Sequence, residues 1–258
     1  MNISAVIIAK DEEKNIKECL ESLTWVSEIV LVDSGSKDGT CRIADKYKCR
    51  IIETDDDNFS HKRNIGAKEA RGEWILYIDV DERVTPLLRK EILSVVGDRS
   101  RALSRYSAWA IPRRNFILGK ELKHGGWWPD YVKRLFLKRN LESWSGELHE
   151  EPHFDGNMGH LKNPLIHLKH DNLEEMVDKT NNWSEIEAKL MFEAGHPPMN
   201  ILRFMTAMFR EAWLRMVKHA AFLDGSVGII YALYQVYSRF ISYAKLWEMQ
   251  VNKKIING

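Results

Sequence analysis

Trp74-Ile75-Leu76-Tyr77-Ile78-Asp79-Val80-Asp81-Glu82 is an unbroken apolar run that turns acidic at its end. Without polar alternation it reads as a strand covered on both faces, the kind found in parallel sheets. Alternation continued through Asp79 and Asp81 would send both carboxylates to the same side of the chain. Two hard carboxylates so placed can hold a divalent cation while leaving positions open for phosphate oxygens. An isolated D-x-D triplet is weak, because solvated acidic strand ends are common. Its surroundings decide.

Upstream lie two more runs of the same kind, Ile3 to Ala9 and Glu28 to Asp33, and a shorter one, Arg50 to Glu53. Between them the spacing predicts helices: Ile16, Cys19, Leu20 and Leu23 at helical intervals, then Thr40 to Tyr47, then His61 to Arg71. Thr85-Pro86 starts another, with Thr as cap and Pro in the first turn. Such β-α repeats predict a mostly parallel sheet flanked by helices. Ligands of open α/β sheets bind at the carboxyl ends of the strands. Here those ends read Ala9-Lys10-Asp11-Glu12-Glu13, Asp33-Ser34-Gly35-Ser36 and Asp79-Val80-Asp81-Glu82. Neither the dinucleotide G-x-G-x-x-G nor the phosphate-loop G-x-x-x-x-G-K pattern is present, which counts against a dehydrogenase or an ATPase.

The 258 residues suffice for one large domain or a domain with an appendage. A net charge of +1 hides an asymmetry: residues 1–82 carry 18 acidic and 12 basic side chains, residues 200–258 carry 3 and 8. An acidic front suits a cation site, a basic tail an anionic surface. Cys19, Cys41 and Cys49 lack metal-type spacing and read as thiols of a reducing compartment. No secretory leader is visible at the N-terminus and no stretch of about 20 apolar residues occurs, so the expected location is cytoplasmic. From Ala102 to Lys169 short apolar pieces alternate with Gly, Pro, Trp and His, suggesting strands and loops. Beyond Asn172, which with Glu175 resembles a capping box, the chain reads as helical, broken at Gly195-His196-Pro197-Pro198.

At this point the chain resembles family 2 glycosyltransferases. The carriers are Ser4 to Glu12, Val32 to Thr40, Lys62-Arg63-Asn64-Ile65-Gly66 with Ala70 to Trp74, and Ile78 to Glu82, four blocks in order. A narrower set is similar to the bacterial branch containing lipopolysaccharide inner-core glucosyltransferases: Trp127-Trp128-Pro129-Asp130, Arg134-Leu135-Phe136, His149-Glu150 and Asp224-Gly225. Many members carry two aspartates at the second strand end, whereas this chain has Asp33-Ser34. The resemblance implies an α/β GT-A fold (Rossmann-like, mostly parallel sheet) with a C-terminal helical extension. It implies a catalytic domain at 1–170, with a nucleotide-sugar half at 1–100 and an acceptor half at 101–170, and a helical extension at 171–258.

It also implies roles. Asp33 would contact the nucleobase, with Ala9 and Glu12 beside base and ribose and Arg63 near the nucleotide. Asp79 would serve the ribose or a metal-bound water, and Asp81 would bind a divalent metal, Mg or Mn. Inversion needs a base to take the acceptor proton; Glu150 is the expected one and Glu147 its competitor. His149 could orient the base. His167, rather than His170, would be a further metal ligand. Trp127, Trp128 and Asp130 would form a sugar platform. Each role has a plainer counterpart: a helix-start acid for Glu12, a surface-helix cation for Arg63, a structural His167, aromatic core for the tryptophans.

The expected partners are a UDP-sugar donor, with glucose as the sugar, and a saccharide or lipid-linked acceptor such as lipopolysaccharide core. Nucleic acid is not expected, because basic residues do not gather around exposed aromatics outside the tail. In that tail Ile230, Tyr234, Tyr237, Ile241 and Ala244, widened by Leu233, Phe240 and Trp247, form one apolar stripe. Ile201, Met205, Met208 and Ala212 form another, beside Arg203 and Arg210. Basic amphipathic helices of this kind lie on membranes. Packing within the protein or in a homo-oligomer is the equal alternative. Two competing functions remain: a nucleotidyltransferase, for which the Gly-rich basic loop after strand one is missing, and a catalytically inactive sugar-binding protein.

Overall fold

A computed structural model describes residues 2–97, 106–146 and 150–257, with side chains as far as Asn252. The chain divides into two compact units, Met1–Arg114 with Pro129–His167, and Asn115–Trp128 with Leu168–Gly258. The segment Asn115–Trp128, expected in the acceptor half, therefore groups with the C-terminal helices.

The first unit opens β1 (Ile3–Ala9), α1 (Ile16–Glu21), β2 (Glu28–Asp33), α2 (Thr40–Lys46), β3 (Arg50–Glu53), α3 (Phe59–Glu69), β4 (Trp74–Tyr77). These strands pair in parallel in the order β3-β2-β1-β4. The apolar runs have no polar face because both faces are buried. Ile7, Leu31 and Leu76 enter one core with Ile16, Cys19 and Leu20 of α1. Val6, Val30, Ile75 and Tyr77 enter a second core, against which Ala67 of α3 packs. Gly66 lets α3 approach β1: a Cβ there would lie 2.3 Å from Cγ1 of Val6.

The chain continues through β5 (Glu82–Val84), α4 (Pro86–Gly97), β6 (Tyr106–Ile117), β7 (Lys120–Leu122), β8 (Asp130–Leu137), β9 (Leu141–Ser145), β10 (Glu151–Phe154), β11 (Asn157–His160) and β12 (Leu165–His170). Beyond β4 the sheet order runs β8-β6-β12-β5. There β8 is antiparallel to β4 and β6, and β12 to β5, while β11 runs parallel to β6. β9 and β10 form a separate antiparallel pair. Thr85 caps α4 as the sequence predicts, its Oγ1 accepting the Leu88 N–H at 3.1 Å.

One expectation needs correction. β4 ends at Tyr77, so strand alternation does not orient Asp79 and Asp81. Asp79 to Glu82 instead form a tight turn, closed by the Glu82 N–H donating to the Asp79 carbonyl at 2.9 Å.

The second unit holds the ends of β6 and β12, β7, and the helices α5 (Leu173–Glu193), α6 (Ile201–Ala212) and α7 (Gly225–Asn257). A π-helical segment, Trp213–Lys218, and a 3-10 turn, Ala221–Asp224, join α6 to α7. Asn172 caps α5 by accepting the Glu175 N–H at 2.8 Å, and Asn200 caps α6 by accepting the Arg203 N–H at 3.0 Å. α5 is tied to α7 by Arg239 to Glu187 at 2.9 Å and by the Tyr234 hydroxyl to the Met176 carbonyl at 2.7 Å. The buried side of α7 carries Tyr231, Ala232, Ser242 and Leu246, while Ile230, Leu233, Tyr237, Phe240 and Trp247 of the expected stripe are exposed. Among the described residues no single helix is long and apolar enough to cross a membrane.

Candidate active site

The carboxyl ends of β1 and β2 carry two loops stitched together by polar contacts. Ala9 pairs with Asp33 across the strands, and its carbonyl accepts the Ser34 N–H at 3.0 Å. Its side chain is buried in the core, so it offers a neighbour only its backbone. Asp33 is 2% exposed and organises its own loop. Its Oδ2 accepts N–H groups from Gly35 at 3.0 Å and Ser36 at 2.9 Å, and its Oδ1 accepts the Ser36 hydroxyl at 2.5 Å. Gly35, at φ +77, supplies the backbone this turn needs. Glu12 donates its N–H to Thr40 Oγ1 at 2.8 Å and accepts from Asn15 at 2.9 Å. Asp11 Oδ1 accepts the Lys37 N–H at 2.7 Å, and Glu13 Oε2 the Gly39 N–H at 3.0 Å. Burial first, then Asp33, pushes the Cys41 thiol up to about 11, which favours its neutral form.

At the end of β4 the charges form one continuous network within the first unit. Asp79 Oδ1 accepts from Arg63 Nη2 at 3.0 Å, and Asp79 Oδ2 accepts from Arg134 Nη2. Glu82, with none of its surface exposed, accepts from Arg134 at 2.8 Å and Arg113 at 3.3 Å through Oε1. Its Oε2 accepts the Asp79 N–H at 3.1 Å. Arg113 goes on to Asp130 Oδ2, at 3.0 Å from Nε and 2.7 Å from Nη2. At the other end Arg63 Nη2 stands 4.0 Å from Glu150 Oε2. Three residues expected from the sequence (Asp79, Arg63 and Glu150) are thus brought together.

Arg63 is fixed from several sides. Its guanidinium lies 5.0 Å from the Trp144 ring and 5.6 Å from the Tyr77 ring, both cation–π distances. Asn64 and Trp144 exchange two hydrogen bonds, at 2.9 and 2.7 Å, which clamp α3 to β9. Burial by itself would raise the Asp79 carboxyl. Arg134, then Arg63 and Arg113, outweigh it and hold the group well below the usual carboxylate range. Asp79 is therefore a fixed anion.

Asp81 faces a different partner. His167 on β12 lies opposite Glu82 of β5 in the antiparallel register, and its Nε2 stands 3.3 Å from Asp81 Oδ2. A carboxylate oxygen and an imidazole nitrogen are both ligand types for divalent metals. Among the described residues no three His, Cys, Asp or Glu gather into a metal-holding group. His170, in the second unit, has its Nδ1 3.9 Å from Glu175.

The expected sugar platform is not gathered in one unit. Asp130 belongs to the first and is engaged by Arg113. Trp127 and Trp128 belong to the second. There Trp127 packs on Tyr231 at 4.9 Å, with Lys169 Nζ at 4.7 Å and Arg215 at 4.8 Å from its ring, and Trp128 is exposed. Glu147 and His149 lie outside the described residues.

Sequence reasoning assigned no role to Glu82, Arg113 or Arg134. The available signal was the charge itself: an acid directly after the D-x-D triplet, and arginines inside otherwise apolar strand runs. Buried charges are rare unless paired, but the partners lie too far along the chain to be read locally.

A model of the family described as "Glycosyl transferase family 2" matches residues 4–137. The lipopolysaccharide core biosynthesis glycosyltransferase LpsC of Rhizobium meliloti (strain 1021) is 26% identical over 273 residues, covering 97% of this chain and 94% of its own. An uncharacterized glycosyltransferase of Rickettsia bellii is 25% identical over 262 residues, covering 96% and 87%. Among solved structures, S. aureus TarS 1–349 in complex with UDP-GlcNAc covers 98% of this chain and 92% of its own, at 15% identity and a TM-score of 0.49.

Proposed function

This chain belongs to glycosyl transferase family 2, and from that premise we propose that it moves a sugar, glucose, from a UDP-sugar to a lipid-linked saccharide of the lipopolysaccharide core type, inverting the anomeric centre. Its glycosyltransferase character follows from the family; donor, acceptor and mechanism are the proposal. The observation that carries it is the Arg63 bridge, which joins the Asp79 turn to Glu150. Similarity to LpsC over nearly its whole length supports the acceptor class.

In this reading Glu150 takes the proton from the acceptor hydroxyl as that oxygen attacks the anomeric carbon and UDP departs. Arg63 orients Glu150 electrostatically and joins it to the donor side. Asp33, Glu12 and the backbone of Ala9 line the base and ribose end. Asp79, its carboxylate held by two arginines, meets the ribose with its remaining lone-pair capacity. Asp81 and His167 would hold a divalent cation, Mg or Mn, which when bound stabilises charge growing on the departing diphosphate. Asp130, held by Arg113, supplies a carboxylate to the acceptor side.

The test is calorimetry with UDP-glucose, with and without Mn, combined with a transfer assay. Glu150→Gln should bind donor as the parent does yet lose transfer by about 100-fold or more, the scale of a general base. Asp81→Ala should lose the Mn-dependent part of donor binding. Full turnover by Asp81→Ala would defeat the metal assignment, and unimpaired Glu150→Gln would move the base elsewhere. Release of pyrophosphate in place of UDP would favour a nucleotidyltransferase.

A further inference from the structure

α6 turns its widest apolar face to solvent. Its buried side chain is Glu211, whose Oε1 accepts from Arg215 Nε at 2.8 Å. Phe204 packs against the cluster of Ala188, Met199 and Leu246, but four large apolar side chains point the other way: Ile201 is 82% exposed, Leu202 69%, Met205 66% and Phe209 69%. At about 100° per residue these four fall within roughly a third of the helix circumference. Trp213, stacked on Phe209 with centroids 6.2 Å apart, carries the face into the π-helical segment. Past it, Phe222 and Leu223 of the 3-10 turn are also more than half exposed. Isolated exposed apolar residues need no explanation; a contiguous face of them does.

Charge identifies the occupant. Arg203 and Arg210 sit together about half a turn round from Ile201, on the polar side next to the Leu202 edge of the arc, and Lys218 closes the segment; all three are exposed. We infer that this face of α6, with the turn carrying Phe222 and Leu223, docks in the plane of an anionic lipid bilayer. The apolar arc would enter the acyl boundary while the arginines remain at the headgroups, as basic interfacial helices do. A second copy of the chain fits poorly, because a symmetric contact through this face would set its cations against themselves. A spanning arrangement fits poorly too. The α6 segment meets α7 at a 61° bend, and Arg210 would lie in hydrocarbon. The inference concerns the second unit alone and stands apart from the sugar-transfer reading.

The test uses the full chain with vesicles of phosphatidylglycerol and phosphatidylethanolamine, against vesicles of phosphatidylcholine alone. Binding by flotation should require the anionic lipid and weaken with salt. Arg203→Gln with Arg210→Gln should weaken it about 30-fold, from the attraction each cation contributes at a charged surface. Met205→Ser with Phe209→Ser should weaken it at least tenfold while leaving the thermal midpoint unchanged, since these side chains contact solvent. Equal binding to both vesicle types, or unchanged binding by the Ser pair, overturns the inference. So does a dimer in sedimentation velocity that the Ser pair converts to monomer.

Discussion

Glu82 offers the sharpest perturbation of the network. It touches no expected ligand, yet three donors converge on it: Arg134, Arg113 and the Asp79 N–H. Glu82→Ala strips a counterion from two arginines and leaves the Asp79 N–H without its acceptor. Breaking a buried ion pair from one side costs about 3–5 kcal/mol. Arg134 keeps Asp79 and Arg113 keeps Asp130, so the lower end applies, about 3 kcal/mol. The orphaned N–H adds about 1 kcal/mol. With a urea slope of about 3 kcal/mol per M, the unfolding midpoint should fall by about 1 M.

Glu82→Gln separates charge from shape. It retains an acceptor oxygen for the Asp79 N–H or Arg134 but loses the charge, so its midpoint should fall between those of the parent and the Ala variant. Donor binding gives a second measure. A loosened Asp79–Glu82 turn should weaken Mn-dependent UDP binding in the Ala variant and recover in part in the Gln variant. A Glu82→Ala midpoint within about 0.2 M of the parent, well inside the expected shift at that slope, would refute the claim that this carboxylate holds the turn.

Two further outcomes follow from the same geometry. Asp79 is held below its ordinary value, so its stabilisation is fully present above the unfolded carboxylate value of about 3.9 and is lost as pH falls below it. The stability gap between the parent and Asp79→Asn should therefore be constant from pH 7 to 5 and narrow below pH 4 in denaturant titrations; a gap that widens there contradicts the assignment. Gly66→Ala would place a Cβ 2.3 Å from Val6 Cγ1, forcing α3 off β1 at a cost of about 1–3 kcal/mol. The thermal midpoint should drop by about 5 °C, with partial recovery on adding Val6→Ala. An unchanged midpoint would show that α3 does not rest on β1 as described.

The elements legible from the sequence were those whose burial leaves a local trace. β1, β2 and β4 are covered on both faces, so their residues are almost wholly apolar, and the helix starts at Thr85 and Asn172 carry side chains that accept their own N–H bonds. β5 was missed because three residues, two of them charged, carry no readable period. Which side of α7 is covered was left open for a related reason: apolar residues lie nearly all round it, and the covered side depends on α5, through Arg239 to Glu187 and Tyr234 to Met176. The assignment of Asn115–Trp128 to the helical unit likewise depends on partners such as Asp224, which accepts the backbone N–H groups of Lys123 at 2.9 Å and His124 at 2.7 Å. No local composition announces that.

The two aspartates of the D-x-D turn have come apart. Spacing alone treats them as equivalent ligands on one side of a strand. In the folded chain Asp79 gives both oxygens to arginines, whereas Asp81 meets an imidazole. For Asp79 to ligate a cation directly, Arg63 or Arg134 would have to surrender its partner while remaining buried, and a buried charge left unpaired is costly. Asp81 is met by the His167 imidazole, its Oδ2 3.3 Å from Nε2, and a cation there would take the place of that contact. A divalent ion at this turn is therefore expected to bind on the Asp81 side. Asp79 would act on it only at a distance, through the arginine pair that also reaches Glu82 and Glu150.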